Sequence, residues 1–252
     1  MALPLDGDAI VLAGATGRVG GATLRRLLEC GARVLVVSRS AHAAERAIRE
    51  AGGAPGSLGA KAVACEADLA TPAGGEAAAH EAVRRFGRID AVVSLAGGGS
   101  RFVAVAESTP ADLAGSVRNN LEVAYHLALP ALRAMLAGEP KPGARSRGRF
   151  AFVTAGSSLD PQPRFGIMGI GKAGVNLLML AIAREHKADG IVANAIVLGG
   201  VATEAARDYL DPDEFDAAAK PDEVADVLAF HASDASSGVN GALVHLNARE
   251  TD

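Results

Sequence analysis

Three short stretches hold the residue types from which chemistry is usually built. In "FGIMGIGKAG", residues 165 to 174, Lys172 follows Met168 by four places, so on a helix the two share a face. A lysine in such apolar company can carry charge to a ligand or, once desolvated, titrate nearer neutrality, whereas a thioether neither gives nor takes a proton. "VLAGATGRVGGAT" spaces Gly14, Gly17 and Gly20 three apart. Between a strand and a helix, that spacing permits a tight turn, close approach of backbone N–H groups to a pyrophosphate, and packing of helix on sheet. "FVTAGSSLD" sets the hydroxyls of Thr154, Ser157 and Ser158 around Ala155.

The run "VVSRS" bears on the dinucleotide that such a glycine turn would hold. A carboxylate at its end would accept hydrogen bonds from an adenosine ribose 2'-OH and repel a 2'-phosphate; here Ser38 ends the run and Arg39 follows. NADP(H) is expected ahead of NAD(H). Arg18, inside the glycine turn, adds to the same positive field.

These residues need a frame, and the chain supplies one in seven apolar, β-branched runs: 9–14, 33–38, 61–66, 89–97, 149–155, 191–198 and 242–247. Nearly continuous rather than alternating, they read as strands covered on both faces. Helical segments such as 20–31 and 221–232 lie between them, the latter opening on Pro221, Asp222 and Glu223 as the positive end of a helix favours. The expectation is a single α/β domain over residues 1–252: a doubly wound, Rossmann-type parallel sheet of about seven strands with helices on both faces.

Composition narrows the function classes. A net charge of -4 argues against a nucleic-acid surface, and the basic stretch 141–149 reads as a solvated loop. Aromatic residues make up only 4%, too few for a base-stacking platform. His42, His80, His126, His186, His231 and His245 are scattered without ligand spacing, so no metal is expected. "AGSSLD" lacks the glycine of a nucleophile elbow. Two cysteines, Cys30 and Cys65, and no recognisable leader suit a reducing, cytoplasmic compartment. The longest apolar runs, such as 175–183, fall short of the roughly 20 residues of a spanning helix, so no membrane is expected.

From about residue 8 to about 248 the pattern resembles the short-chain dehydrogenase/reductase family. The resemblance implies that Asp68 in "CEADLA" contacts an adenine ring. "SLAGGG" (94–99) resembles the family's Asn-Asn-Ala-Gly turn, with Ser94 and Leu95 replacing both asparagines. It likewise implies that the Asn120 backbone holds a water beside a catalytic Lys172, and that "NAIVLGGVAT" (194–203) closes over a nicotinamide, with Leu198 in place of proline and Thr203 against the cofactor amide. The cofactor set so implied is Gly14, Thr16, Gly17, Arg18, Val19, Gly20, Ser38, Arg39, Asp68, Leu69, Ala96, Gly97, Lys172, Gly199, Val201 and Thr203.

In that family a tyrosine moves the proton on the substrate oxygen and a serine hydrogen-bonds that oxygen. Here the tyrosine position is Met168 and the serine position Ala155; the only two tyrosines, Tyr125 and Tyr209, stand far from Lys172 in sequence. The candidate catalytic set is therefore Lys172, Asn120, Thr154 and Ser157, with His126 or Tyr125 as substitute acids. Two readings stay open. One is an NADP(H)-dependent oxidoreductase with an altered site, reducing a conjugated C=C bond or a reactive carbonyl of a small molecule. The other is a catalytically inactive or non-redox relative: a scaffold, a partner subunit mixed with an active relative, or a cyclase-like shaper of substrate. Residues 199–220 form the expected substrate lid, acidic and so unfavourable to anions. The resemblance also implies a homo-oligomer, dimer or tetramer, through helices around 108–137 and 165–188.

Overall fold

The structure is a computed structural model that describes residue 3 and residues 5–52, 61–208 and 210–246. Seven parallel strands form one sheet: β1 (Ala9–Ala13), β2 (Arg33–Ser38), β3 (Ala62–Glu66), β4 (Ala91–Ser94), β5 (Gly148–Ala155), β6 (Ile191–Leu198) and β7 (Leu243–Leu246). Their spatial order is β3-β2-β1-β4-β5-β6-β7, as the expected doubly wound sheet requires. All seven apolar runs contain a strand. Asn247, at the end of the last run, lies outside the described residues, as does Tyr209.

Helices cover both faces because successive strand residues point to opposite sides. On one face Val11, Ala13, Phe150 and Phe152 pack with α3 (Pro72–Phe86), α5 (Val123–Ala137) and α6 (Gly166–Glu185). On the other, Ile10, Leu12, Val34 and Ala151 pack with α1 (Arg18–Glu29), α2 (Ala41–Gly52) and α7 (Pro221–Ala232). Local chemistry sets the helix starts. Thr71 caps α3 by accepting from Gly74 N, ahead of Pro72. Thr109 and Asp112 close a reciprocal capping box on α4 (Pro110–Ser116).

Three features depart from the sequence expectation. The expected helix at 108–137 runs from α4 into α5 through a π-helical turn, Val117–Glu122, which carries Asn120. Helix α6 is longer than its apolar run: at 20 residues it has the length and composition to cross a membrane, but half of its apolar window is buried within the fold, and it packs on β5 and β6. The third is the basic stretch 141–149, which is not a solvated set of cations. Arg149 is 2% exposed and donates to Asp8 at 2.7 Å and Asp234 at 3.2 Å, while Lys141 turns back onto Asp8. Buried carboxylates distant in sequence require those cations, which composition does not reveal.

Candidate functional site

The β1–α1 turn is built by sterics. Gly14 has φ +95°, and a Cβ there would meet Ala96 N of the neighbouring turn at 2.9 Å; a Cβ on Gly20 would lie 2.0 Å from Gly14 O. Only glycine lets this turn lie so close to the β4 end and lets α1 start so close to the turn. Gly17 is different. Its φ is an ordinary -87°, and an added Cβ would meet nothing nearer than Gly14 O at 3.8 Å. The fold itself does not require glycine at this position.

Gly17 faces a cleft of about 510 Å³ along the C-terminal ends of β1 to β4. Of the implied cofactor residues it gathers Gly14, Thr16, Gly17, Ser38, Arg39, Asp68, Leu69, Ala96 and Gly97, and adds Ala67, Ala70, Leu95, Gly98, Gly99, Asn119 and Val123. Those additions follow from the β3 and β4 turns and from the π segment, whose geometry a linear motif does not show. Arg18, Val19, Gly20, Lys172, Gly199, Val201 and Thr203 do not line it. Arg18 instead pairs with Glu204 at 3.7 Å, so the glycine turn touches the expected lid. Val201 bridges Ala219, and Thr203 N donates to Val201 O at 2.7 Å. Arg39 is exposed at the cleft, and the carboxylate across the strand register from Ser38, Glu66, is engaged with Ala41 N at 3.0 Å.

Behind the cleft stands Lys172, 8% exposed. Its Nζ donates to Val153 O at 3.1 Å, and it lies 2.9 Å from where a Cβ on Gly97 would be. Burial brings the amine down from its usual 10.5 to about 8. Asn120 fixes the adjacent loop: Oδ1 accepts from Gly98 N at 3.0 Å, and Nδ2 donates to Ser116 O at 2.9 Å. Gly97, Asn120 and Lys172 are thus one cluster, and the π turn is what places Asn120 in it, as such bulges often do at functional sites.

The hydroxyls around Ala155 divide. Ser158 Oγ donates to Ala155 O at 2.6 Å and accepts from Asn176 Nδ2 at 2.8 Å, so it is structural. Thr154 Oγ1 and Ser157 Oγ are buried without a hydrogen-bond partner. Arg26 Nε, Arg149 Nε, Asn176 Oδ1 and His231 Nδ1 are likewise buried without a partner among the described residues. Met168 is half-buried one turn before Lys172. Neither substitute acid joins the cluster. Tyr125 is 45% exposed, and the His126 ring Nδ1 donates to Leu69 O at 2.9 Å. Among the described residues no group of His, Cys, Asp and Glu is placed to hold a metal.

Against this geometry stand the likenesses to known proteins. Residues 8–214 match the family profile described as short chain dehydrogenase. The chain is 29% identical to D-threitol dehydrogenase of Mycolicibacterium smegmatis, over 94% of this chain and 90% of that one. It is 27% identical to a short-chain type dehydrogenase/reductase of Picea abies, over 96% and 92%. Among solved structures, gluconate 5-dehydrogenase from Burkholderia cenocepacia, in complex with NADP and tartrate, superposes with a TM-score of 0.84 at 26% identity, covering 98% of this chain and 96% of that one. With the glycine turn, the strand order and the buried lysine in place, this chain belongs to the short chain dehydrogenase family of oxidoreductases.

Proposed function

We propose that the chain takes a nicotinamide dinucleotide in the cleft, NADP(H) ahead of NAD(H), and serves reduction of a conjugated C=C bond or a reactive carbonyl without a fixed phenol beside the oxygen. Gly17 carries the reading: packing explains Gly14 and Gly20, whereas Gly17 lines the cleft without a Cβ, so that a pyrophosphate can approach its backbone. Its neighbours fit that ligand, with Gly14 and Thr16 toward the pyrophosphate, Asp68 and Leu69 toward the adenine, and Gly97 toward the nicotinamide half. Arg39, with Glu66 engaged elsewhere, supports the preference for a 2'-phosphate.

When bound, the nicotinamide supplies the hydride. The chain's own part is to hold and to polarise. Lys172 presents an amine with no carboxylate partner among the described residues, suited to ribose hydroxyls and to holding a proton near neutral pH. Thr154 and Ser157 hold hydroxyls in reserve for a substrate oxygen. Met168 and Ala155 supply no proton, which favours proton delivery to carbon from water. Residues 199–220 act as the lid, with Arg18 and Glu204 joining it to the glycine turn. The chain works as a homo-oligomer in a reducing, cytoplasmic compartment; Leu177 on α6, 70% exposed, marks the face for association.

The same two residues, Met168 and Ala155, favour a second reading, a redox-inactive subunit or a non-redox shaper of substrate. Met168→Tyr separates the two. On the first reading it raises carbonyl reduction by about 10²-fold or more, measured as loss of reduced nicotinamide with a panel of ketones. No gain, with NADPH binding intact, favours the second.

A further inference from the structure

Two loops meet over the start of α6 and carry side chains that cofactor binding does not use: residues 95–109, from β4 to α4, and 156–165, from β5 to α6. Arg164 ties them together. Among the described residues it is the non-glycine residue with a left-handed backbone, φ 74°. Its carbonyl accepts from Val103 N at 3.0 Å, and its Nη2 donates to Phe102 O at 3.1 Å. Such a backbone persists where its surroundings over-determine it. Across the junction the rings of Phe102 and Phe165 lie 4.6 Å apart at 31°.

The hydroxyls and amides nearby are largely committed within the protein. Ser100 faces Asn120, Arg101 pairs with Asp112, Ser108 donates to Val105 O, Thr109 donates to Asp112, and Ser158 bonds Ala155 O and Asn176. The large apolar side chains are exposed instead: Val105 at 71%, Leu159 at 45% and Phe102 at 41%. Val105 stands over Gly166, 3.7 Å from where a Cβ would be, and Met168 follows within the same turn. At the end of β5, Ala155 lies opposite Leu198 in the register. Glu107 and Asp160, both exposed, add negative charge at the rim.

We propose that this mouth is the substrate site and that it takes an uncharged, planar, ring-bearing carbonyl compound. Apolar contact with Val105, Leu159 and the Phe102–Phe165 wall holds the ring. The rim carboxylates of Glu107 and Asp160 disfavour anions, and the exposed apolar side chains favour a ring over a polyol. The carbonyl rests on the oxidoreductase reading; ring binding does not.

The probe is propionyl-dimethylaminonaphthalene, an uncharged naphthyl ketone whose emission moves to the blue in apolar surroundings. The chain has no tryptophan, which keeps the background low. The full chain is titrated with it, with and without NADPH, alongside Val105→Asp and, as a control on a separate exposed apolar residue, Val83→Asp. The expected result is saturable binding, weakened about tenfold or more by Val105→Asp, unchanged in Val83→Asp, and not displaced by threitol. Circular dichroism confirms that both exposed-site variants are folded. No saturable binding, equal binding in Val105→Asp, or displacement by threitol overturns the proposal. Val105-dependent binding without any NADPH binding would leave the ring site standing and sink the oxidoreductase reading instead.

Discussion

At the N-terminal edge of the sheet, Asp8 is held by Arg149 at 2.7 Å and by Lys141, and Asp234 accepts from Arg145 N, Ser146, Ser237 and Arg149. Asp90 there accepts from Ala9 N and Arg88. At the C-terminal edge Lys172 has a single carbonyl, and Thr154 Oγ1 and Ser157 Oγ have no partner. The contrast separates structure from function within one chain. The N-terminal network is dense, with Arg149 Nε its one unmatched buried atom among the described residues, whereas the groups at the C-terminal edge are sparsely bonded.

The largest effect should come from the satisfied edge. Burial alone would raise the Asp234 carboxyl, but hydrogen bonds from Arg145 N, Ser237 and Ser146 and the charge of Arg149 outweigh it and hold the group at about 2. Arg149→Met leaves Asp8 and Asp234 short of their shared cation and should cost about 3–5 kcal/mol in denaturant unfolding. A loss under about 1 kcal/mol would break the comparison, because the edge would then not depend on its network.

A smaller, pH-dependent effect belongs to the unsatisfied edge. The folded Lys172 titrates at about 8 and the unfolded side chain near 10.5, so between those values the unfolded chain binds the extra proton. By linkage, this residue's contribution to stability is present above about pH 10.5 and is lost as the pH falls through about 8. Lys172→Met should remove that slope, on the order of 2–3 kcal/mol over the window, in unfolding curves recorded from neutral to alkaline pH. Equal slopes in both proteins would mean that the amine is not desolvated.

The sequence resolved the two edges unequally. Each strand was legible because burial on both faces leaves a continuous apolar run, and the glycine turn because its spacing is local. The family resemblance implied Asn120 beside Lys172 but did not bring in Gly97; residues 97, 120 and 172 meet only through tertiary folding and a π turn that no periodicity signals. The inward turn of Lys141 and Arg149 was missed for the same reason, since Asp8 and Asp234 are distant in the chain. Which hydroxyl near Ala155 is committed depended on Asn176 a helix away, and the left-handed Arg164 that joins two loops left no mark in composition.

The smallest effect on stability and the largest on function should coincide at Gly17. Gly17→Ala fits the backbone and should change unfolding by no more than about 0.5 kcal/mol. The most direct measurement is titration of the native chain and Gly17→Ala with NADPH and NADH, followed by nicotinamide fluorescence. NADPH should bind the native chain more tightly than NADH does, and Gly17→Ala should weaken both about tenfold or more. If neither nucleotide binds, or if both bind Gly17→Ala as well as the native chain, the cleft is not a dinucleotide site.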